Sequence, residues 1–161
     1  MRHAKAQPFA STDHARSLTD RGRADATGAG TFLAAHDFVP DHALVSTADR
    51  TRETWAAVAE ASGAAVDASY DAAIYAGDVD TAVESLHAVP AGATTVILIG
   101  HNPAAAYLCH LLDDGNGDPD AVAGMLQGFP TSALAVFAID VPWAELAAET
   151  GTVTAFHAPS H

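Results

Sequence analysis

The sequence predicts an α/β fold: a three-layer α/β/α sandwich with a mostly parallel central sheet. Two apolar runs, and the helical segments after them, carry this reading. Thr94–Ile99 is β-branched and apolar on both faces, as a buried parallel strand is. Ala43–Ser46 is a second, shorter run of the same kind. Each leads into a segment of helical period, the alternation that builds a parallel sheet. With 161 residues and no internal repeat, the chain reads as one domain, residues 1–161.

Near the N-terminus, residues 7–17 mix Pro, Ser, Thr and Asp and read as a loop. Thr19 or Asp20 can cap a helix that runs to about His36, with Ala24, Gly28, Phe32 and Leu33 recurring at its spacing. Gly28 and Gly30 weaken that helix and are expected to mark close packing. Asp37–His42 is a turn around Pro40. After the Ala43–Ser46 strand, Thr47–Ser62 is the clearest helix. Trp55, Val58, Ala59 and Ser62 share its face, and Gly63 suits its end. Val66–Tyr75 fits no single element: a short extended segment and a loop. Asp78–His87 is a helix with Val79, Val83 and Leu86 inward, broken by Pro90-Ala91-Gly92. Beyond the Thr94–Ile99 strand come a helix at Pro103–Leu112, a polar loop and a short helix at Asp120–Leu126. Ser132–Ile139 and Thr152–His157 read as the last two strands.

Charge excludes whole classes of function. The net charge of −13 argues against a nucleic-acid surface and against an anionic membrane. No segment approaches the roughly 20 apolar residues of a membrane helix, and no secretory signal follows Arg2 and Lys5, so a cytoplasmic protein is expected. Cys109 sits in an apolar stretch and is expected to be a small buried residue. The scattered histidines lack the spacing of metal ligands, and no phosphate-cradling P-loop or serine nucleophile elbow occurs. Neither metal nor cofactor is expected.

The cations are few and all lie early: Arg2, Lys5, Arg16, Arg21, Arg23, Arg50 and Arg52. An acidic chain that binds an anion must concentrate them. Arg21, Arg23 and Arg52 read as surface residues in weak ion pairs. Arg2 adjoins His3, Arg50 sits near a helix start, and His101 follows the best strand, where open α/β sheets bind ligands. Neutral imidazole can attack phosphorus, and guanidiniums grip phosphate oxygens with paired donors. Each residue alone is weak; the set suggests a pocket for a phosphoryl group.

That set resembles the histidine phosphatase superfamily, with its phosphoglycerate mutase-like fold, and in particular the SixA-type phosphohistidine phosphatases. Arg2-His3-Ala4-Lys5 resembles the nucleophile signature. Arg16-Ser17-Leu18-Thr19-Asp20-Arg21-Gly22 is similar to the second segment, with Ser17 where Pro is usual. Ser46 to Thr54, with Arg50, resembles a helix-start motif; Gly100-His101-Asn102-Pro103 resembles the second-histidine motif, and Phe129 to Ala135 a late strand. The resemblance implies His3 as nucleophile, Arg2, Arg16 and Arg50 as phosphate ligands, and His101 as stabiliser of the transferring group.

It also implies a metal-independent phosphatase that releases phosphate from a phosphohistidine-bearing protein. The alternatives are a small phosphomonoester as substrate, or a catalytically weak phosphate- or partner-binding domain. Many phosphomonoesterases of the superfamily carry an acidic proton donor before the second-histidine strand; Ala73–Asp78 offers no glutamate, and Asp78 is expected to cap a helix. One irregularity stands out. The resemblance implies a central strand immediately before Arg2, where only Met1 is present, so that first strand reads as missing. Arg2 and His3 are therefore expected to be less well anchored than His101.

Overall fold

The computed structural model describes residues 1–160. Strands β1 (His42–Ser46), β2 (Ala68–Asp71) and β3 (Val96–Ile99) form a parallel sheet in the order β2-β1-β3. Strands β4 (Leu134–Ile139) and β5 (Gly151–His157) pair antiparallel, with a register shift at Val136/Phe137. The helices are α1 (Asp20–Ala35), α2 (Asp49–Ser62), α3 (Ala73–Ala76), α4 (Val79–His87), α5 (Ala104–Leu112) and α6 (Pro119–Gln127). The expected α/β sandwich with a mostly parallel central sheet is what forms.

Its layers follow from the twofold alternation of strand side chains. Ala43 and Val45 of β1 and Ile97 and Ile99 of β3 face α1 and α2, where they pack with Ala26, Leu33, Trp55 and Val58. Leu44 and Leu98 face the other way, toward Leu86, Leu108 and Leu112 on α4 and α5. β3 is apolar throughout because both of its faces are covered.

Several local expectations hold. Thr19 caps α1, accepting from the Gly22 amide; Asp78 caps α4; and Gly63 ends α2 in the left-handed region at φ 75°. Cys109 is buried, which pushes its thiol up to about 11. The ambiguous residues 66–75 resolve into edge strand β2 and the start of the one-turn helix α3.

Others are corrected. On α1, Ala24 and Gly28 are exposed; the buried face is Gly22, Ala26, Ala29, Gly30 and Leu33. Gly30 does mark close packing, since a Cβ there would stand 2.6 Å from the Val58 carbonyl oxygen. Gly28 does not: a Cβ there would meet nothing within 4 Å. β4 begins at Leu134 rather than Ser132, because Ser132 has a φ of 65° that no strand residue adopts.

The chain start differs most from expectation. Met1–Ala4 runs between Gly100, just past β3, and Ser132–Ala133, just before β4. Arg2 bridges Gly100 in parallel, and the Arg2 amide donates to the Ala133 carbonyl at 2.9 Å. The His3 amide donates to Gly100 O at 3.0 Å, the Ser132 amide to His3 O at 3.1 Å, and the Met1 ammonium to Leu98 O at 2.8 Å. The Ala4 amide donates to Thr54 Oγ1 at 3.0 Å. Arg2 and His3 are therefore bonded on both sides, and the expectation of poor anchoring is overturned. The partners are the backbone of Gly100, Ser132 and Ala133 and the Thr54 side chain of α2. Beyond Met1, an apolar groove of about 490 Å³ lies between β3 and β4, lined by residues such as Leu98, Cys109, Leu134 and Phe137. None of the site residues lines it.

Candidate active site

The site gathers at the carboxyl ends of the parallel strands. Ser46 ends β1, and His101 follows β3 by two residues. Tyr75 stands on α3, just after β2, and Arg50 in the first turn of α2. The α2 start is tied to the β1 end, because the Thr51 hydroxyl lies 2.7 Å from both Ser46 O and Ala48 O. This fixes Arg50 relative to Ser46.

The five residues singled out in the sequence come together here, in two tiers. His3, His101, Arg2 and Arg50 form the inner set, and the two imidazole centroids are 5.1 Å apart. Arg16 is at the rim, on the 7–17 loop, with its Nε bonded to Asp13 at 2.9 Å and an Nη to Gln7 O at 3.1 Å. Arg50 is buried at 5% exposure. Arg2 donates to Phe129 O at 3.0 Å, which also accepts from the Asn102 amide group at 2.9 Å. One carbonyl thus joins the arginine of the first motif to the loop of the second histidine. The Nε donors of Arg2 and Arg50 are buried and have no acceptor among the described residues. Buried guanidinium N–H groups left in this state are uncommon, and they suit a site built for an anion.

Hydrogen bonding fixes the proton positions of both histidines. His3 Nδ1 is 2.8 Å from the Ala4 carbonyl oxygen, which can only accept, so Nδ1 carries the proton. Its Nε2 keeps a free lone pair. Burial, together with the charges of Arg50, Arg2 and Arg16, lowers the His3 pKa to about 4 against a partial rise from the Ala4 bond. The ring is neutral at neutral pH. Burial, then His3 and Arg50, lowers His101 to about 3. Chemically, the arrangement offers a neutral imidazole nucleophile beside a second imidazole and guanidiniums that can balance developing negative charge.

Two residues escaped the sequence reading. Asp13 accepts from Arg16 Nε at 2.9 Å, from Arg50 Nη2 at 3.1 Å and from the Tyr75 hydroxyl at 2.8 Å. Tyr75 stands edge-on to His101, with centroids 5.5 Å apart. Asp13 gives no local signal: it is one acidic residue in a polar loop of an acidic chain. Tyr75 lies within Ala73–Asp78, the segment that offers no glutamate. Asp78 caps α4, as expected, and makes no contact with the site. Arg21 and Arg23 form exposed ion pairs with Asp25 and Glu53, and Arg52 stacks on Tyr70 at 4.0 Å, away from the pocket.

Comparison with known proteins agrees with this geometry. The family described as the histidine phosphatase superfamily (branch 1) matches residues 1–74. An uncharacterized protein of Mycobacterium tuberculosis is 35% identical over 161 residues, covering 99% of each chain. The structure of a protein designated phosphohistidine phosphatase SixA from Nakamurella multipartitia superposes with a TM-score of 0.86 at 33% identity, over 100% of this chain and 94% of that one. The protein histidine phosphatase SixA complexed with tungstate gives 0.79 at 26% identity, over 97% and 92%. The chain belongs to the histidine phosphatase superfamily, and it is a hydrolase of the phosphatase class. Within that superfamily it is of the SixA type.

Proposed function

We propose that this protein is a phosphohistidine phosphatase of the cytoplasm. Its substrate is a phosphohistidine-bearing protein, and its reaction passes through a phosphohistidine formed on His3. The observation that carries the reading is the His3–Ala4 contact, which leaves a neutral ring with Nε2 unprotonated beside His101 and the arginines. In the first step, Nε2 attacks phosphorus. The bond from phosphorus to the substrate imidazole breaks, and that imidazole nitrogen takes up a proton. In the second step, water attacks the phosphoryl group, the bond to Nε2 breaks, and inorganic phosphate leaves with His3 neutral again. Arg2, Arg16 and Arg50 balance the charge of the equatorial oxygens, and His101 lies beside the transferring group.

The leaving group favours phosphohistidine over an ordinary ester. An imidazole nitrogen takes a proton from solvent readily, whereas an alkoxide needs a placed acid. The carboxylate nearest the arginines, Asp13, is held down to about 2 by its Tyr75 bond and by Arg50 and Arg16, so it carries no proton to give at neutral pH. The bonds that hold Arg2 and His3 support an active enzyme over a catalytically weak binding domain.

The test is phosphate release from a phosphohistidine-bearing carrier protein and from p-nitrophenyl phosphate, with wild type and His3→Ala. The reading expects the carrier to be turned over well ahead of the ester, and both activities to vanish in the folded variant. Preference for the ester would point to a phosphomonoesterase instead.

A further inference from the structure

We propose that Asp13 selects the leaving group: its carboxylate receives a cationic or N–H-bearing leaving group at the mouth of the pocket and turns away anionic ones. This rests on the pocket binding a phosphoryl group, and it adds a reason for the choice among phosphorylated compounds.

Asp13 is bonded to Arg16 and to Arg50, two of the three guanidiniums, so it borders the place of the phosphoryl group. Its side chain is 57% exposed while that of Arg50 is 6% exposed, so the carboxylate stands on the solvent side of the arginine. In-line displacement by His3 sends the leaving group away from the nucleophile. On this proposal the leaving group departs outward, past the exposed Asp13 carboxylate.

An ionised carboxylate has about four lone-pair sites. In Asp13, Oδ1 takes Arg16, and Oδ2 takes both Arg50 and Tyr75. Oδ1 therefore keeps an acceptor site open to solvent. Tyr75 and Arg50 hold the group in place, and a second bond from Arg50, to the Asp13 carbonyl at 2.8 Å, fixes its backbone. A protonated or N–H-bearing leaving group finds a fixed acceptor there. A carboxylate or second phosphate on the leaving group meets a like charge, in a chain whose net charge is already −13.

The experiment uses two ligands that differ in the sign of charge beside the same phosphate monoester: O-phosphoethanolamine and 3-phosphoglycerate. Their affinities for wild type and Asp13→Asn are measured by titration calorimetry, with inorganic phosphate as reference. Wild type is expected to favour phosphoethanolamine by about tenfold or more, and Asp13→Asn to shrink that ratio by about tenfold, the first ligand weakening and the second strengthening. A ratio that Asp13→Asn leaves unchanged overturns the proposal. This holds whether both affinities rise, as they would if the carboxylate only competes with phosphate for the arginines, or both fall, as they would if it only holds the arginines in place. Absence of either preference in wild type overturns it as well. The phosphohistidine reading fails separately, by lack of turnover of the carrier protein, whatever the ligand ratio.

Discussion

Ser46 and His101, the one ending β1 and the other following β3, are joined by a 2.8 Å bond between Oγ and Nε2. Arg50 Nη2 approaches the other ring nitrogen, Nδ1, at 3.3 Å. A guanidinium can only donate, so Nδ1 accepts and Nε2–H donates to the serine. Ser46 is fully buried, so no water replaces its hydroxyl. Ser46→Ala leaves a buried N–H without an acceptor, at a cost of about 1–3 kcal/mol. We expect a lower melting temperature and a fall in kcat of roughly tenfold, as His101 loses its fixed orientation. Unchanged kcat in the variant would show that this bond does not hold the ring for catalysis.

Acid affects stability through the same two histidines. In the unfolded chain both titrate near 6.5; in the fold His3 is lowered to about 4 and His101 to about 3. Between those values the unfolded state binds more protons, so stability is complete above about pH 6.5 and drains away as pH falls toward 3. Denaturant midpoints measured from pH 7 to pH 3.5 should show this decline, and His101→Asn should flatten it. On the proposed mechanism unprotonated His3 attacks, so kcat/KM, which reports the free enzyme, should persist at pH 5 and drop near pH 4. A kcat/KM that follows a midpoint of 6.5 would contradict the lowered His3 value.

Two glycines of α1 should respond in opposite directions to alanine. A Cβ on Gly22 would stand 2.0 Å from the Lys5 carbonyl oxygen, a backbone atom two residues from His3. The clash outweighs the helix-propensity gain of up to ~1 kcal/mol. Gly22→Ala should therefore destabilise by about 1–3 kcal/mol and reduce kcat. Gly28 is exposed within the same helix with nothing near its Cβ position. Gly28→Ala should stabilise by about 0.5–1 kcal/mol and leave kcat alone. Paired thermal melts distinguish the two.

How far the sequence spoke depended on the range of the interaction. Period and β-branching revealed β3 and α2, because burial of a whole face leaves a repeated signature. The inner arginines and histidines were legible as motif letters. Glu53 and Thr54 belong to the same motif, yet their work is tertiary. Glu53 accepts from the Leu18 amide at 3.0 Å and Thr54 from the Ala4 amide at 3.0 Å, so α2 holds the two other motif segments in place. No local pattern reports that. Asp13 reaches Tyr75 across 62 positions, a contact created only by the fold. The α1 face was misread because a helix of alanines and glycines has little hydrophobic contrast.

Thr54 also ties the chain start, which carries His3, and α2 into a single unit of local unfolding. Its hydroxyl donates to Arg50 O at 2.5 Å while accepting from the Ala4 amide, and both Thr54 and Ala4 are fully buried. Opening the chain start without loosening α2 is therefore unfavourable. In hydrogen exchange, the Ala4 amide should be protected as strongly as the middle of α2, although chain ends ordinarily exchange freely. Thr54→Val should release that amide to fast exchange while the α2 core stays protected, and activity should decay with Ala4 protection rather than with global unfolding. In the wild type, by contrast, heat should remove activity and fold together, because the residue next to His3 opens only when the helix does.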